Sequence, residues 1–365
     1  MSDFNRDIWC LLGLPFDAVD MPQAIDTVRR AVADKSTCFI STPNLNFLIS
    51  SQSDPDFRHS VINSEISIAD GIPLIWVARL LGIPLLGRVT GSGLIEMLRK
   101  KDKNTDKVIN VFFFGGEAGI AERACLVINK EQGGLVCAGF YSPGFGSVED
   151  MSDPAIIDTI NESDADFVVV SLGAKKGQAW IEQNRDKLFA PVVSHLGAVV
   201  NFVAGNVQRA PVWMQKKGLE WTWRIFQEPK LWRRYIKDGA KFLSLIVRRV
   251  LPYALWRSIN RSKLSNSHPV VYEVTVLNDL IVIALRGNCV GQSITPLRKV
   301  FQHESEKSLS IRLDLSDVPV IDGAFLGLCL ILRKRLNRKG LHLQFSGINR
   351  AVRRIFRWNC IEYLL

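Results

Sequence analysis

Apolar runs of strand length, each followed by a polar turn and a helix-length segment, recur through the first two hundred residues. They include "CFISTPN", "ISIADG", "VINVFFFGG", "DFVVVSLG" and "PVVSHLG". Strands apolar on both faces, alternating with helices, predict a mostly parallel sheet with helices on both faces. The fold class is therefore α/β and Rossmann-like. Such sheets bind ligands beyond the C-terminal ends of their strands. "TPN", "ADG", "GGE", "YSPG" and "GAKKGQ" all fall there.

From Arg209 the texture changes. Residues 209–261 mix aromatic and basic side chains at helical spacing. Residues 262–269, "SKLSNSHP", read as a linker. Two alternating strands around Asn278-Asp279 then predict a hairpin, and the segments after it complete a small α/β unit over 270–365. Four parts result: a body (1–208), a basic helical tail (209–261), the linker and a C-terminal domain.

Charge separates the same parts. The 365-residue chain carries net +10, yet residues 1–208 carry 18 Lys and Arg against 25 Asp and Glu. The tail carries 13 against 3, and residues 262–365 carry 15 against 8. A basic block of this kind points to phosphate: a diphosphate substrate, an anionic membrane or nucleic acid. Nucleic acid is not expected, because no recognition helix or aromatic platform accompanies the charge. "GAKFLSLIVRRVLPYALWRS" is interrupted by Arg248 and Arg249, so an interfacial helix is expected rather than a span. The seven cysteines include no C-x-x-C, and the first residues show no leader pattern, so reduced thiols and a cytoplasmic location are expected.

Several polar residues stand where a ligand would lie. Asp70 ends the strand "SEISIA", a poor place for packing and a good one for a cleft. It is equally able to form an Asx turn or cap the next helix. Thr42 and Asn44 could bond a ligand or cap "NFLISSQ". Arg88, in "GRVTGS", could clamp a diphosphate or pair with a carboxylate such as Glu96. Gly115 and Gly116 could let a pyrophosphate approach a helix N-terminus, or simply make a tight turn. There is no Asp-x-Asp, and the five histidines are scattered. No metal and no cofactor are expected.

Over residues 8–250 the chain resembles the WecG/TagA/CpsF family of bacterial glycosyltransferases. These transfer N-acetylmannosamine and related hexoses to polyprenyl-diphosphate-linked sugars in cell-surface polysaccharide synthesis. The carrying motifs are "STPNLNFLISSQSDPDFRHSVINSEISIADGIPLIWVARLLG…RVTGS", "FYSPGF", "FVVVSLGAKKGQAWI" and "GNVQRAPVWMQKKGLEWTWRIFQEPKLWRRY". The resemblance implies an inverting transfer from a UDP-sugar with Asp70 as general base. It implies substrate contacts from Thr42, Asn44, Arg88, Gly115, Gly116, Lys176 and Gln178, with Arg209, Arg224, Arg233 and Arg234 in a tail that closes the site and touches the membrane's inner face. "GAKKGQ" departs from the commoner Gly-x-Pro-Lys-Gln-Glu, so Gln178 is shifted by one residue and the donor sugar is open. "LDLSDVPVIDGAFLGLCLILRKRLNRKGLHLQFSGINRAVRRIF" resembles a STAS domain, the fold of anti-sigma-factor antagonists. Asp322-Gly323-Ala324 lacks the hydroxyl that regulatory members carry at this turn. A protein partner for this domain, a homo-oligomer, and a rival reading as an altered regulatory or scaffold protein stay open.

Overall fold

A computed structural model describes residues 3–101, 107–265 and 268–365. Asn266 and Ser267 of the expected linker lie outside the described residues. The strands are β1 (Ile8–Leu11), β2 (Leu14–Asp17), β3 (Cys38–Ser41), β4 (Ile66–Ser67), β5 (Ile109–Gly115), β6 (Leu135–Tyr141), β7 (Phe167–Ser171), β8 (Val192–His195), β9 (Val271–Leu277), β10 (Leu280–Arg286), β11 (Ser310–Asp317) and β12 (Leu343–Ser346).

The central sheet has the order β4-β3-β8-β7-β5-β6, and every pair in it is parallel. Strand alternation gives it two cores. Val111, Phe113, Phe167 and Val169 pack with Val28, Leu94 and Ala124 on one face. Phe112, Phe114, Val168 and Val170 pack with Ile157, Ile160 and Trp180 on the other. Helices therefore cover both faces, as the apolar strands predict. β5 leads outward to β6 while β7 leads back to β8. The crevice between β5 and β7 is thus a topological switch point, the usual place for a ligand.

The C-terminal sheet has the order β12-β11-β10-β9. β9 and β10 form the expected hairpin, with Asn278 and Asp279 at φ 46° and 60°. This conformation suits short polar residues and matches the twist of the strands. The other pairs are parallel.

One element is absent from the sequence reading. β1 and β2 form an antiparallel hairpin turned at Leu12 and Gly13, outside the central sheet. It lies on the helix Gly323–Asn337 of the C-terminal domain. That helix is buried without a break from Gly323 to Leu332, as an all-round apolar helix must be. Gly323 and Gly327 make the contact possible. A Cβ on Gly327 would sit 2.7 Å from the Ile8 carbonyl oxygen, and one on Gly323 3.0 Å from that of Cys10.

The consequence is a single core across the expected boundary. Ile8, Leu14, Phe47, Leu74, Tyr253, Ile283, Phe325 and Phe356 belong to one apolar cluster. The body, tail and C-terminal domain are packed as one unit.

The tail runs as helix Trp232–Leu245, a π turn Ile246–Val250 and helix Leu251–Ile259. The wide turn precedes Pro252, whose missing N–H would break a regular ladder. Val250 and Tyr253 are buried against the common core. Trp232, Ile236, Leu243, Val247, Leu251, Leu255 and Ile259 remain exposed, spaced by four or seven residues. Among the described residues no helix is long and apolar enough to cross a membrane.

The expectation of free thiols holds for five cysteines. Cys125, on the helix Ile120–Glu131, and Cys137, on β6, are joined, against that expectation.

Gly327→Val tests the shared core. It drives a side chain into the β1 backbone and should lower stability by about 1–3 kcal/mol in urea denaturation, the usual scale of overpacking. Gly239→Ala, in a helix with open space around it, should instead be neutral or stabilising by up to about 1 kcal/mol. Equal behaviour of the two variants would mean that the hairpin does not bear on that helix.

Candidate active site

Three loops meet at the C-terminal ends of β3 and β4. They are zipped together by the backbone. The Asp70 N–H donates to the Pro43 carbonyl at 2.9 Å, and the Val89 N–H donates to the Ala69 carbonyl at 3.0 Å. This places Thr42, Asn44, Asp70, Arg88 and Thr90 on one rim. Asn44 caps the helix Leu45–Ser53 through the Phe47 N–H at 3.1 Å, which leaves its amide nitrogen for other work. Thr42 is buried, with its methyl group toward Gly91.

Asp70 does not cap the helix after it; Gly71 holds the N-cap position and no side chain bonds there. Its carboxylate turns instead to the Gly91 N–H, 3.4 Å away. The residue is sunk deep in the protein but not sealed off. Burial pushes its carboxyl up to about 6, with Glu220 adding to the shift; Arg88, the Gly91 N–H and Arg209 pull the other way.

The first part of the tail completes the rim. Arg88 is ion-paired with Glu220, and Arg209 with Glu96. Arg209 also donates to the Thr90 hydroxyl at 3.3 Å. Thr90 in turn caps the helix Gly91–Arg99 through Gly93, at 2.9 Å. Gly218, at φ 74°, lies against Ile72; a Cβ there would be 2.9 Å from the isoleucine methyl. The tail therefore bears on both the "ADG" and "RVTGS" loops.

Beside this rim is a cavity of about 510 Å³. Ile95, Phe202 and Val203 make its apolar wall, and Glu96, Arg209 and Gln215 its polar one.

Gly115 and Gly116 sit at the switch point. Their φ values are 95° and 88°, which only glycine adopts freely. The Gly116 N–H donates to the Ser171 carbonyl at 3.0 Å. Lys176 stands at the same end of the sheet and donates to the Gly146 carbonyl at 2.6 Å, tethering the loop after β6.

Besides Gly115, Gly116 and Lys176, four residues named from the sequence are not brought to this rim. Gln178 is fully buried, with its amide spent on the Ser41 hydroxyl at 3.2 Å. The shift by one residue in "GAKKGQ" turns it inward, and it presents no group to a ligand here. Arg224 pairs with Glu228, at the C-terminal end of its own helix, at 3.8 Å. Arg233 and Arg234 are exposed and lie over Trp232 and Tyr235. Among the described residues neither bonds to the loops around Asp70.

Two residues were missed. Glu220 orients Arg88; its signal was a rare carboxylate in a strongly basic tail. His195 is buried, and a Cβ on Gly177 would lie 2.1 Å from its ring. The second glycine of "GAKKGQ" is thus the space that this imidazole fills. Burial lowers the His195 pKa, while its bond to the Leu172 carbonyl at 2.6 Å opposes the shift. The neutral ring carries its proton on Nε2, since a carbonyl only accepts.

Among the described residues no three His, Cys, Asp or Glu side chains cluster as metal ligands.

Residues 272–358 match the STAS domain. An N-acetylglucosaminyldiphosphoundecaprenol N-acetyl-beta-D-mannosaminyltransferase of Bacillus spizizenii is 30% identical over 198 residues, covering 54% of this chain and 74% of that protein. The protein of the same description from Bacillus subtilis is 28% identical, covering 64% and 89%. One from Staphylococcus aureus is 24% identical, covering 61% and 85%. Residues 9–254 match the description "Glycosyl transferase WecG/TagA/CpsF family", and with two thirds of its length so matched the chain belongs to that family of glycosyltransferases.

Proposed function

We propose that the protein moves a hexose or N-acetylhexosamine from a UDP-sugar to a polyprenyl-diphosphate-linked sugar, with inversion at the anomeric carbon. Asp70 carries the reading. Its carboxyl, at about 6, is close to neutrality, where a general base works best. The acceptor hydroxyl attacks the anomeric carbon and gives its proton to Asp70. The bond from that carbon to the UDP oxygen breaks, and the diphosphate leaves with the electron pair. Arg88 and Arg209 supply positive charge to the leaving oxygens. Glu220 and Glu96 hold those guanidiniums in place until a diphosphate competes for them. The Gly115-Gly116 turn admits the nucleotide. The cavity beside Arg209 suits the acceptor, with apolar wall for the isoprenoid and basic side for its diphosphate. The exposed stripe on the tail helix, flanked by Lys230, Arg233, Lys237 and Lys241, lays the protein on an anionic bilayer, where that acceptor resides.

Asp70→Asn should reduce transfer by about 10²-fold or more. Wild-type activity should fall as pH drops through about 6, and the residual activity of the variant should lack that inflection. Stability should move oppositely. The folded pKa lies above the ordinary 3.8, so this group's contribution is fully present below that value and lost as pH rises through about 6. The asparagine variant should therefore melt higher than wild type at pH 8 and alike near pH 4. Unchanged turnover in Asp70→Asn removes the residue from the chemistry. Absence of transfer from every UDP-sugar tried, with a lipid-diphosphate acceptor, favours the regulatory reading instead.

Vesicle flotation tests the surface. Anionic vesicles should bind the protein more than neutral ones, and high salt should release part of it. Leu255→Glu with Ile259→Glu should weaken the salt-resistant part. Equal binding to both vesicle types would rule out the basic tail as the contact.

A further inference from the structure

A second basic cavity, lined by none of the rim residues around Asp70, lies where the body meets the C-terminal domain. It encloses about 200 Å³ between the helix Pro55–Ile62, the helix Gly323–Asn337 and the segment Glu362–Leu364. Arg58, His59, Arg333, Asn337 and Tyr363 line it, with Asp56 as its one carboxylate. Lys334 also borders it, but its ammonium is spent on Asp3, Glu65 and the Ser64 carbonyl.

The two arginines are unusual in their company. Arg58 lies 3.8 Å over the Tyr363 ring, and Arg333 5.1 Å over the same ring. Arg58 donates to the Ser51 carbonyl at 3.1 Å. Arg333 has a buried terminal nitrogen, Nη1, with no hydrogen-bond partner. Among the described residues neither guanidinium is paired with a carboxylate. Tyr363 offers no counter-charge. Its hydroxyl donates to the Gly13 carbonyl at 3.2 Å, and burial holds the phenol well above its ordinary range. Burial makes Arg333 less basic than usual; Tyr363 opposes the shift, and the neighbouring Arg58 charge adds a smaller push in the same direction as burial. Two like charges from two domains thus share one ring, and a buried donor goes unused. Such a donor is costly unless something accepts from it.

We infer that this cavity is a binding site for a phosphate-class oxyanion, held by Arg58 and Arg333 with help from His59 and Asn337. Guanidiniums suit phosphate oxygens through paired, charge-assisted bonds. An anion there would bridge the body and the C-terminal domain and would relieve the repulsion between the two arginines. The site is separate from Asp70, and the inference does not rest on the proposed transfer reaction.

Thermal melting of the full chain tests it. Inorganic phosphate, titrated against chloride at matched ionic strength, should raise the melting temperature in proportion to the logarithm of its concentration. A second arm with adenosine monophosphate distinguishes free phosphate from a phosphate carried on a larger metabolite. Arg333→Gln should lose the phosphate-dependent shift, while Arg88→Gln should keep it. Arg58→Gln approaches the same cavity from the other domain and should also lose it, which covers a failure of the first variant to fold. No shift in the wild type from either probe overturns the inference. So does a shift that survives both Arg333→Gln and Arg58→Gln, or one that disappears only in Arg88→Gln. A purely structural role for Arg333 predicts instead an equal loss of melting temperature in both salts, with the phosphate shift intact.

Discussion

Lys334 is the hinge of the assembly. Its side chain is wholly buried, yet it holds a charge between Asp3 at 3.0 Å and Glu65 at 3.2 Å. Glu65 also takes Arg185 and Arg338, and it accepts the Phe39 N–H at the edge of the central sheet. Arg6 grips Asp17 with two bonds, of 2.8 and 2.9 Å, and Asp17 accepts the Ser67 N–H at 2.7 Å. Burial alone would push Glu65 up; Lys334 and the arginines carry it below its usual value. A buried network of this kind adds little net stability over an apolar substitute. Removing one member, however, leaves a charge without a partner, at about 3–5 kcal/mol. The network therefore acts chiefly as a register. It allows the N-terminal hairpin, the strands β3 and β4 and the C-terminal domain only one mutual placement.

That register matters for the rim around Asp70. β4 is only two residues long, and Asp70 follows it closely. The position of the carboxylate is inherited from Glu65 and Ser67, both fixed by the network. On its other side the site depends on the tail, through Glu220 and Arg209. The tail is in turn fastened to the C-terminal domain: Arg249 donates to the Arg357 carbonyl at 2.7 Å and pairs with Glu362 at 3.3 Å. The catalytic body is thus clasped by the segments that follow it.

What could be read from the residues was whatever rests on local periodicity. Apolar strands, glycine turns and the Asn278-Asp279 hairpin announced themselves, and with them the loop ends where Asp70, Thr42 and Asn44 stand. The β1–β2 hairpin did not. "IWCLLGLPF" is buried on both faces, so it has no alternation to betray its strands. Nor did Gly323 and Gly327 reveal what they were small for, since their partner lies three hundred residues away. Arg88 was read with Glu96 as a candidate partner; Glu220 took it, and Glu96 went to Arg209. Choices of that kind are settled by the docking of the tail, which spacing along the chain does not encode. Gln178 shows the converse, a polar residue whose helix phase turns it inward toward Ser41.

The hairpin on Gly323 and Gly327 sets an order of events for biosynthesis. Its seat is made some 300 residues after it emerges. At about 5–20 residues per second, Ile8, Leu14 and Phe16 wait roughly 15–60 s on the ribosome before the helix that covers them exists. The core they share cannot close from the N-terminus onward, as the early domain of a multidomain chain ordinarily does. For that interval the nascent chain carries uncovered apolar strands, a natural client for chaperones that hold extended segments.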